Sequence, residues 1–238
     1  DVDVVITMVP NGSVVNDIVT RYKHRFTPSC LFIDMSTTSP ADARAAAEQL
    51  AEVGVDFLDA PVSGGLTGAS EGALSIMVGG HESVLEKARG VLALLGRSIT
   101  YMGPVGSGQV TKAANQLIVG GTLALVAEAA VLLKKSGVAP ATALSALRGG
   151  LAGSRILDLK GPQMIEHEFT PTFAAGLHLK DMDIAMAVGH EAHCVLPVTA
   201  CVLQLFEAVC ACGFAEQDHS VIIKIIETLS GIEVERRN

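Results

Sequence analysis

Short apolar runs alternate with helical stretches through the first part of the chain. Val2-Asp3-Val4-Val5-Ile6-Thr7-Met8-Val9 is rich in β-branched residues and stops at Pro10-Asn11-Gly12, so it reads as a fully buried parallel strand. Helical spacing follows over Ser13–Lys23, then a second apolar run at Leu31-Phe32-Ile33-Asp34-Met35. Ser39-Pro40 supplies a cap and a first-turn proline for an alanine-rich helix over Ala41–Glu52. Val55–Leu58 and Leu74–Val78 read as strands, Glu82–Leu95 as a helix and Ile99–Met102 as a last strand. Strand and helix in alternation predict a doubly wound α/β unit that ends at about residue 104.

Past Gly108 the period changes. Val110 to Ser136 is almost unbroken helix former, ended by Gly137-Val138-Ala139-Pro140. At ~1.5 Å per residue such a helix is about 40 Å long. It is apolar on most faces, which predicts the buried axis of an all-α half. Further helices are expected near Ala141–Leu147, Leu179–Glu191, Pro197–Cys212 and His219–Leu229. Two domains follow, residues 1–104 and 105–238.

Composition narrows the partners. Of the 238 residues, 49% are hydrophobic but only 4% aromatic, so the core must be built from Ala, Val, Leu and Ile. A net charge of −8 argues against nucleic acid or an anionic membrane as the main partner. No apolar run reaches the roughly 18–20 residues of a membrane helix, and the chain opens on a strand pattern rather than a leader. The five cysteines Cys30, Cys194, Cys201, Cys210 and Cys212 are an odd number on apolar stretches. They read as reduced core thiols of a cytoplasmic protein, or of a mitochondrial matrix protein in a eukaryote.

The chemistry concentrates in two glycine-flanked segments. In Gly103-Pro104-Val105-Gly106-Ser107-Gly108-Gln109-Val110-Thr111-Lys112-Ala113-Ala114-Asn115-Gln116 a glycine turn opens the long helix. Lys112, Asn115 and Gln116 stand at i, i+3 and i+4, on one helical face. An ammonium taken out of water moves toward the working range of a general acid/base; the alternative is a first-turn lysine snorkelling to solvent. In Asp59-Ala60-Pro61-Val62-Ser63-Gly64-Gly65 the serine hydroxyl and two glycine amides can hold a carboxylate, or simply make a turn. The glycine turn is neither a dinucleotide fingerprint, since Thr111 stands at its third glycine, nor a P-loop, since Gln109-Val110 replaces Lys-Ser/Thr.

Elsewhere the plain readings hold. Arg148-Gly149-Gly150-Leu151-Ala152-Gly153-Ser154 ends one helix and caps the next with Ser154. His178-Leu179-Lys180-Asp181 opens a helix, with Lys180 either at a cofactor or solvated. His190, His193 and Cys194 lack a fourth ligand, so no metal is expected. Asp218-His219-Ser220 reads as a helix cap in a segment with a mobile look.

Six ordered segments resemble the β-hydroxyacid dehydrogenase family: Ile6-Thr7-Met8-Val9-Pro10-Asn11, Asp34-Met35-Ser36-Thr37, Asp59 to Gly65, Gly103 to Gln116, Arg148 to Ser154, and Phe173 through His178 to Lys180-Asp181. The resemblance spans essentially the whole chain. It implies the C-terminal part of a Rossmann-type doubly wound sheet followed by an all-α domain built around one long helix. It also implies NAD or NADP as cofactor, a small hydroxyacid as substrate, and a homodimer or homotetramer. By resemblance, Lys112 is the catalytic acid/base, Ser63, Gly64 and Gly65 hold the substrate carboxylate, and Asn115 and Gln116 orient lysine and substrate. Met8, Val9, Pro10 and Asn11 line the cofactor groove, Thr37 sits near the nicotinamide ribose, and Phe173 and Lys180 close over the cofactor. Asn115-Gln116 and the Arg148 to Ser154 run are most similar to the tartronate semialdehyde reductase branch. 6-Phosphogluconate dehydrogenases carry His at the position of Asn115. The alternatives are a 3-hydroxyisobutyrate dehydrogenase, or an inactive relative that acts through assembly. Family members open with a phosphate-binding glycine turn that this sequence does not show, so it reads as starting part-way through the cofactor domain. An incomplete cofactor site and some three strands without neighbours are the expectation.

Overall fold

In the computed structural model, which describes residues 2–232, the apolar runs of the first half form one six-stranded sheet. Its elements are β1 (Val4–Thr7), α1 (Gly12–Tyr22), β2 (Leu31–Asp34), α2 (Pro40–Ala51), β3 (Asp56–Asp59), β4 (Val62–Ser63), α3 (Gly65–Ser70), β5 (Leu74–Gly80), α4 (Glu82–Leu92) and β6 (Gly96–Gly103). β1, β2 and β3 run parallel and in step, Thr7 beside Asp34 and Asp34 beside Asp59. Alternate residues of β2 then face opposite layers. Phe32 packs with Phe57 against Val15 and Val19 of α1 and Ala43, Ala46 and Leu50 of α2. Leu31 and Ile33 pack on the other side with Leu58, Ile76 and Leu85 of α4. Helices on both faces make the sheet doubly wound.

The sheet departs from the expected one in three ways. β1 is an edge strand with Ile6 exposed, not a fully buried one, because β2 is its only partner among the described residues. β5 runs antiparallel to β3, and β6 parallel to β5. The chain between Asp59 and Leu74 is spent on β4 and the short α3 rather than on a crossover helix, so the direction reverses. All six strands have a neighbour, so none is left unpaired as the sequence implied.

The helical elements are α5 (Ser107–Lys135), α6 (Pro140–Leu147), α7 (Arg155–Glu166), α8 (Ala175–Glu191), α9 (Pro197–Ala211) and α10 (Ile223–Ser230), with a 3-10 turn at His219–Ile222. By its internal packing the chain divides into two compact units, Asp1–Asn115 and Gln116–Asn238. In the second unit, Leu123, Ala127 and Val131 of α5 pack with Met164 of α7, Met182 of α8, Phe206 of α9 and Ile226 of α10. α5 is not buried all round: Ile118, Leu125 and Leu132 are exposed. α5 is also long and apolar enough to cross a membrane, against the expectation that no run is. Asn115, Gln116 and Thr122 interrupt its apolar count, yet no charge occurs between Lys112 and Glu128.

Two smaller expectations are also corrected. Of the cysteines only Cys30 is buried; Cys194, Cys201 and Cys212 are exposed, Cys201 because α9 turns Thr199, Val202, Phe206 and Val209 inward instead. The segment around Asp218 and His219 is buried, held by the polar cluster described below.

Candidate active site

In the first unit the glycine turn before α5 closes on the carboxylate of Asp59, at the end of β3. Gly106 N–H donates to Oδ1 at 2.8 Å and Gln109 N–H to Oδ2 at 3.0 Å. These are helix N-terminal amides that have no partner inside the helix. Gly79 and Gly108 shape the cradle: a Cβ on either would lie 2.4 or 2.8 Å from the Asp59 carboxylate. Burial pushes the Asp59 carboxyl up to about 6; the two amide bonds oppose this and the charge of Asp34 adds to it. Asp34 itself accepts from Thr7 Oγ1 at 2.9 Å and from the Ser36 amide at 3.1 Å.

The buried Gln109 side chain brackets Thr37. Its Nε2 donates to the Ser36 carbonyl at 2.9 Å, and its Oε1 accepts from the Thr38 amide at 3.0 Å. The loop after β1 joins through Val9 N–H, which donates to Ser36 Oγ at 2.9 Å. Asn11 turns its side chain to capping α1, accepting from the Val14 amide at 3.1 Å. Met8 and Pro10 are exposed and Thr37 is half-buried. These residues lie beyond the C-terminal ends of the adjacent parallel strands β1 and β2, where open α/β sheets bind their ligands. Exposed apolar side chains beside a half-buried hydroxyl fit a nicotinamide cofactor there.

Lys112 stands three residues after Gln109 and is only 6% exposed. Asn115, also in this unit, is half-buried. Ser63 is half-buried on β4, paired opposite Ser75 of β5. Gly64 and Gly65 follow with φ of 137° and 63°, conformations that L side chains rarely adopt, and both are exposed.

In the second unit α8 grips Gln116 twice. Gln116 Nε2 donates to Asp181 Oδ2 at 2.6 Å, and Asp181 Oδ1 lies 3.0 Å from Lys180 Nζ. One turn earlier, His178 Nε2–H donates to the Gln116 carbonyl at 3.3 Å. Gly120 makes room for this ring, since a Cβ there would lie 2.9 Å from His178 Nε2. His178 Nδ1 lies 2.9 Å from His219 Nδ1, so one ring gives its N–H to the lone pair of the other. Burial first, then His178, pushes His219 down to about 3. Phe173 meets both rings edge-on at 5.8 and 5.5 Å, and Phe206 stacks on His178 at 4.6 Å. Behind them Asp218 caps the 3-10 turn through Ser220 N–H and also takes Lys160 Nζ at 2.8 and 2.9 Å.

Asp59, Asp181 and His178 stand inside the motifs with no task legible from the sequence, and Gln109 shows there only as part of the glycine turn. The signal at Gln109 was a buried-helix amide directly after a glycine turn. Among the described residues no group of three or more His, Cys, Asp or Glu side chains is placed to hold a metal ion, at His190 and His193 or elsewhere.

A family model described as the NAD binding domain of 6-phosphogluconate dehydrogenase matches residues 1–103. One described as NAD-binding of NADP-dependent 3-hydroxyisobutyrate dehydrogenase matches residues 106–226. The chain is 40% identical to the 2-hydroxy-3-oxopropionate reductase of Escherichia coli K12 over 232 residues, 96% of this chain and 79% of that protein. The chain belongs to the β-hydroxyacid dehydrogenase family. Solved structures agree. The dehydrogenase is similar to Mycobacterium tuberculosis 3-hydroxyisobutyrate dehydrogenase, with TM-score 0.86, 33% identity, and 95% of this chain and 80% of that one covered. It is also similar to 3-hydroxyisobutyrate dehydrogenase from Salmonella typhimurium, with TM-score 0.88, 26% identity, and 94% and 79% covered. It is an NAD(P)-dependent hydroxyacid dehydrogenase that uses a nicotinamide dinucleotide and acts on a small molecule.

Proposed function

We propose that the dehydrogenase interconverts tartronate semialdehyde and D-glycerate. The observation that carries this reading is the buried Lys112, on a helix whose first turn is seated on the strand that leads four residues later to Ser63. The Asn115-Gln116 pair and the 40% identity to a 2-hydroxy-3-oxopropionate reductase support the choice of substrate. Ser63 and the amides of Gly64 and Gly65 bind the substrate carboxylate. Asn115 and Gln116 orient the hydroxyl-bearing carbon. The cofactor, held by Met8, Val9, Pro10, Asn11, Thr37, Phe173 and Lys180, supplies or accepts the hydride. Lys112 Nζ gives a proton to the aldehyde oxygen as negative charge develops there, and takes it back in the reverse direction.

The test follows reduced-nicotinamide absorbance for the full-length protein with tartronate semialdehyde and with methylmalonate semialdehyde, the substrate of the alternative reading. We expect the first to give the higher kcat/KM, and Lys112→Ala to lower kcat by about 10²–10⁴. A fully active Lys112→Ala protein refutes the proton assignment; a preference for the second aldehyde refutes the substrate, and no turnover with either favours an inactive relative.

The exposed Ile118, Leu125 and Leu132, seven residues apart on α5, support a homodimer or homotetramer, which a monomer by light scattering would contradict. The exposed free thiols support a reducing compartment, the cytoplasm or the mitochondrial matrix.

A further inference from the structure

We infer that Asp59 is a positioning residue for the proton transfer assigned to Lys112: one carboxylate seats the lysine helix on β3 and ties it to the loop that carries Ser63. The inference rests on the reading of Lys112 given above. Asp59 spends both oxygens on α5, one on Gly106 N–H and one on Gln109 N–H. A helix start held at two amides three residues apart is fixed in rotation as well as in height, and Lys112 lies within the next turn. From Asp59 the chain reaches Ser63 in four residues. That interval is pinned to β5, where Met77 N–H donates to the Pro61 carbonyl at 3.0 Å and Ser63 pairs with Ser75.

The surroundings are cut to a carboxylate. Gly79 on β5 and Gly108 on α5 leave no room for a Cβ beside the Asp59 oxygens, and Gly108 also lies against the Asp59 and Met77 carbonyls. A longer acid does not fit this cradle. An asparagine fits but has one acceptor oxygen, so its NH₂ group faces either the Gly106 or the Gln109 N–H, donor against donor. The helix start must then shift, and a shift on the order of 1 Å at a reacting group can lower a rate about 10²-fold.

The experiment is a double-mutant cycle of Asp59→Asn with Lys112→Ala in the full-length protein. Asp59→Asn is expected to lower kcat about 10- to 100-fold while KM for the hydroxyacid stays within about threefold. In the Lys112→Ala background it is expected to leave the residual rate unchanged. Equal losses in both backgrounds, or a folded Asp59→Asn protein with wild-type kcat, overturn the inference. If Asp59→Asn does not fold, amide hydrogen exchange of the wild-type protein decides: Gly106 and Gln109 should be protected, and fast exchange at both overturns the seat. Should Lys112→Ala alone keep full turnover, the reading of Lys112 fails while the exchange result still reports what Asp59 holds.

Discussion

Replacing Asp218 by asparagine removes a negative charge from the helical unit while keeping the shape of the side chain. Lys160 Nζ sits 2.8 and 2.9 Å from the two oxygens, and its remaining hydrogen bond goes to Thr172 Oγ1 at 2.7 Å. The variant strands this buried ammonium against a neutral amide. Breaking one side of a buried ion pair costs about 3–5 kcal/mol. Oδ2 also accepts from Thr172 N–H at 2.9 Å and Oδ1 from Ser220 N–H at 3.1 Å, so the new NH₂ must oppose one of these donors. That adds about 1–3 kcal/mol, part of it shared with the first term. Urea unfolding at neutral pH should therefore show a loss of at least about 3 kcal/mol, with Tm lower by about 6–12 °C for a chain of this size. A Lys160→Met, Asp218→Leu double variant should be more stable than Asp218→Asn, because neither charge is left alone. A loss below about 1 kcal/mol in Asp218→Asn would refute the reasoning. The pH dependence has a definite sign. Burial pushes the Asp218 carboxyl up, but Lys160, His219 and the Thr172 and Ser220 amides overcome this and hold it well below the usual range. Its contribution is therefore complete above the ordinary value of 3.8 and is lost as the pH falls below it.

Asp59 acts with the opposite sign. Its carboxyl is raised from 3.8 to about 6, so the folded protein holds the extra proton and the contribution to stability is lost as pH rises through that interval. At ~1.36 kcal/mol per pH unit, wild type should lose on the order of 3 kcal/mol relative to Asp59→Asn between about pH 4 and pH 7; a constant difference in urea unfolding refutes this. Gly120→Ala places a methyl 2.9 Å from His178 Nε2 and 3.0 Å from Met182 Sδ, and should lower stability by about 1–3 kcal/mol. An unchanged melting temperature would show that α8 does not need this notch. A thiol reagent should modify Cys194, Cys201 and Cys212 in the folded protein and reach Cys30 only after denaturation; equal rates at all four would contradict the fold of α9 and β2.

Local chemistry was legible where it acts locally. Ser39 caps α2 by accepting from the Asp42 amide at 3.0 Å, and Ser154 caps α7 by accepting from Leu157 N–H at 3.0 Å, both as their sequence positions predict. The order of strands and helices was legible for the same reason. What a strand lies beside was not. Val4–Thr7 has the pattern of a central strand yet sits at an edge, and the reversal at β5 depends on Asp59–Leu74 folding as β4 and α3, which are too short to leave a period. In the proposed site, Lys112 and Ser63 declare themselves by residue type and glycine neighbours. Asp59 and Gln109 do not, because their tasks are bonds to peptides 47 to 73 residues away. Asp218 has the look of a simple cap, since nothing in its neighbours announces Lys160 across 58 residues.

The bracket that Gln109 places around Thr37 limits how this enzyme can be re-engineered. A graft that adds or deletes a residue between Ser36 and Thr38 would leave the glutamine one acceptor or one donor short, and so should disturb the seat of α5 as well as the loop itself. The exposed turn at Pro28-Ser29, with no such tether from α5, is the safer place for an insertion.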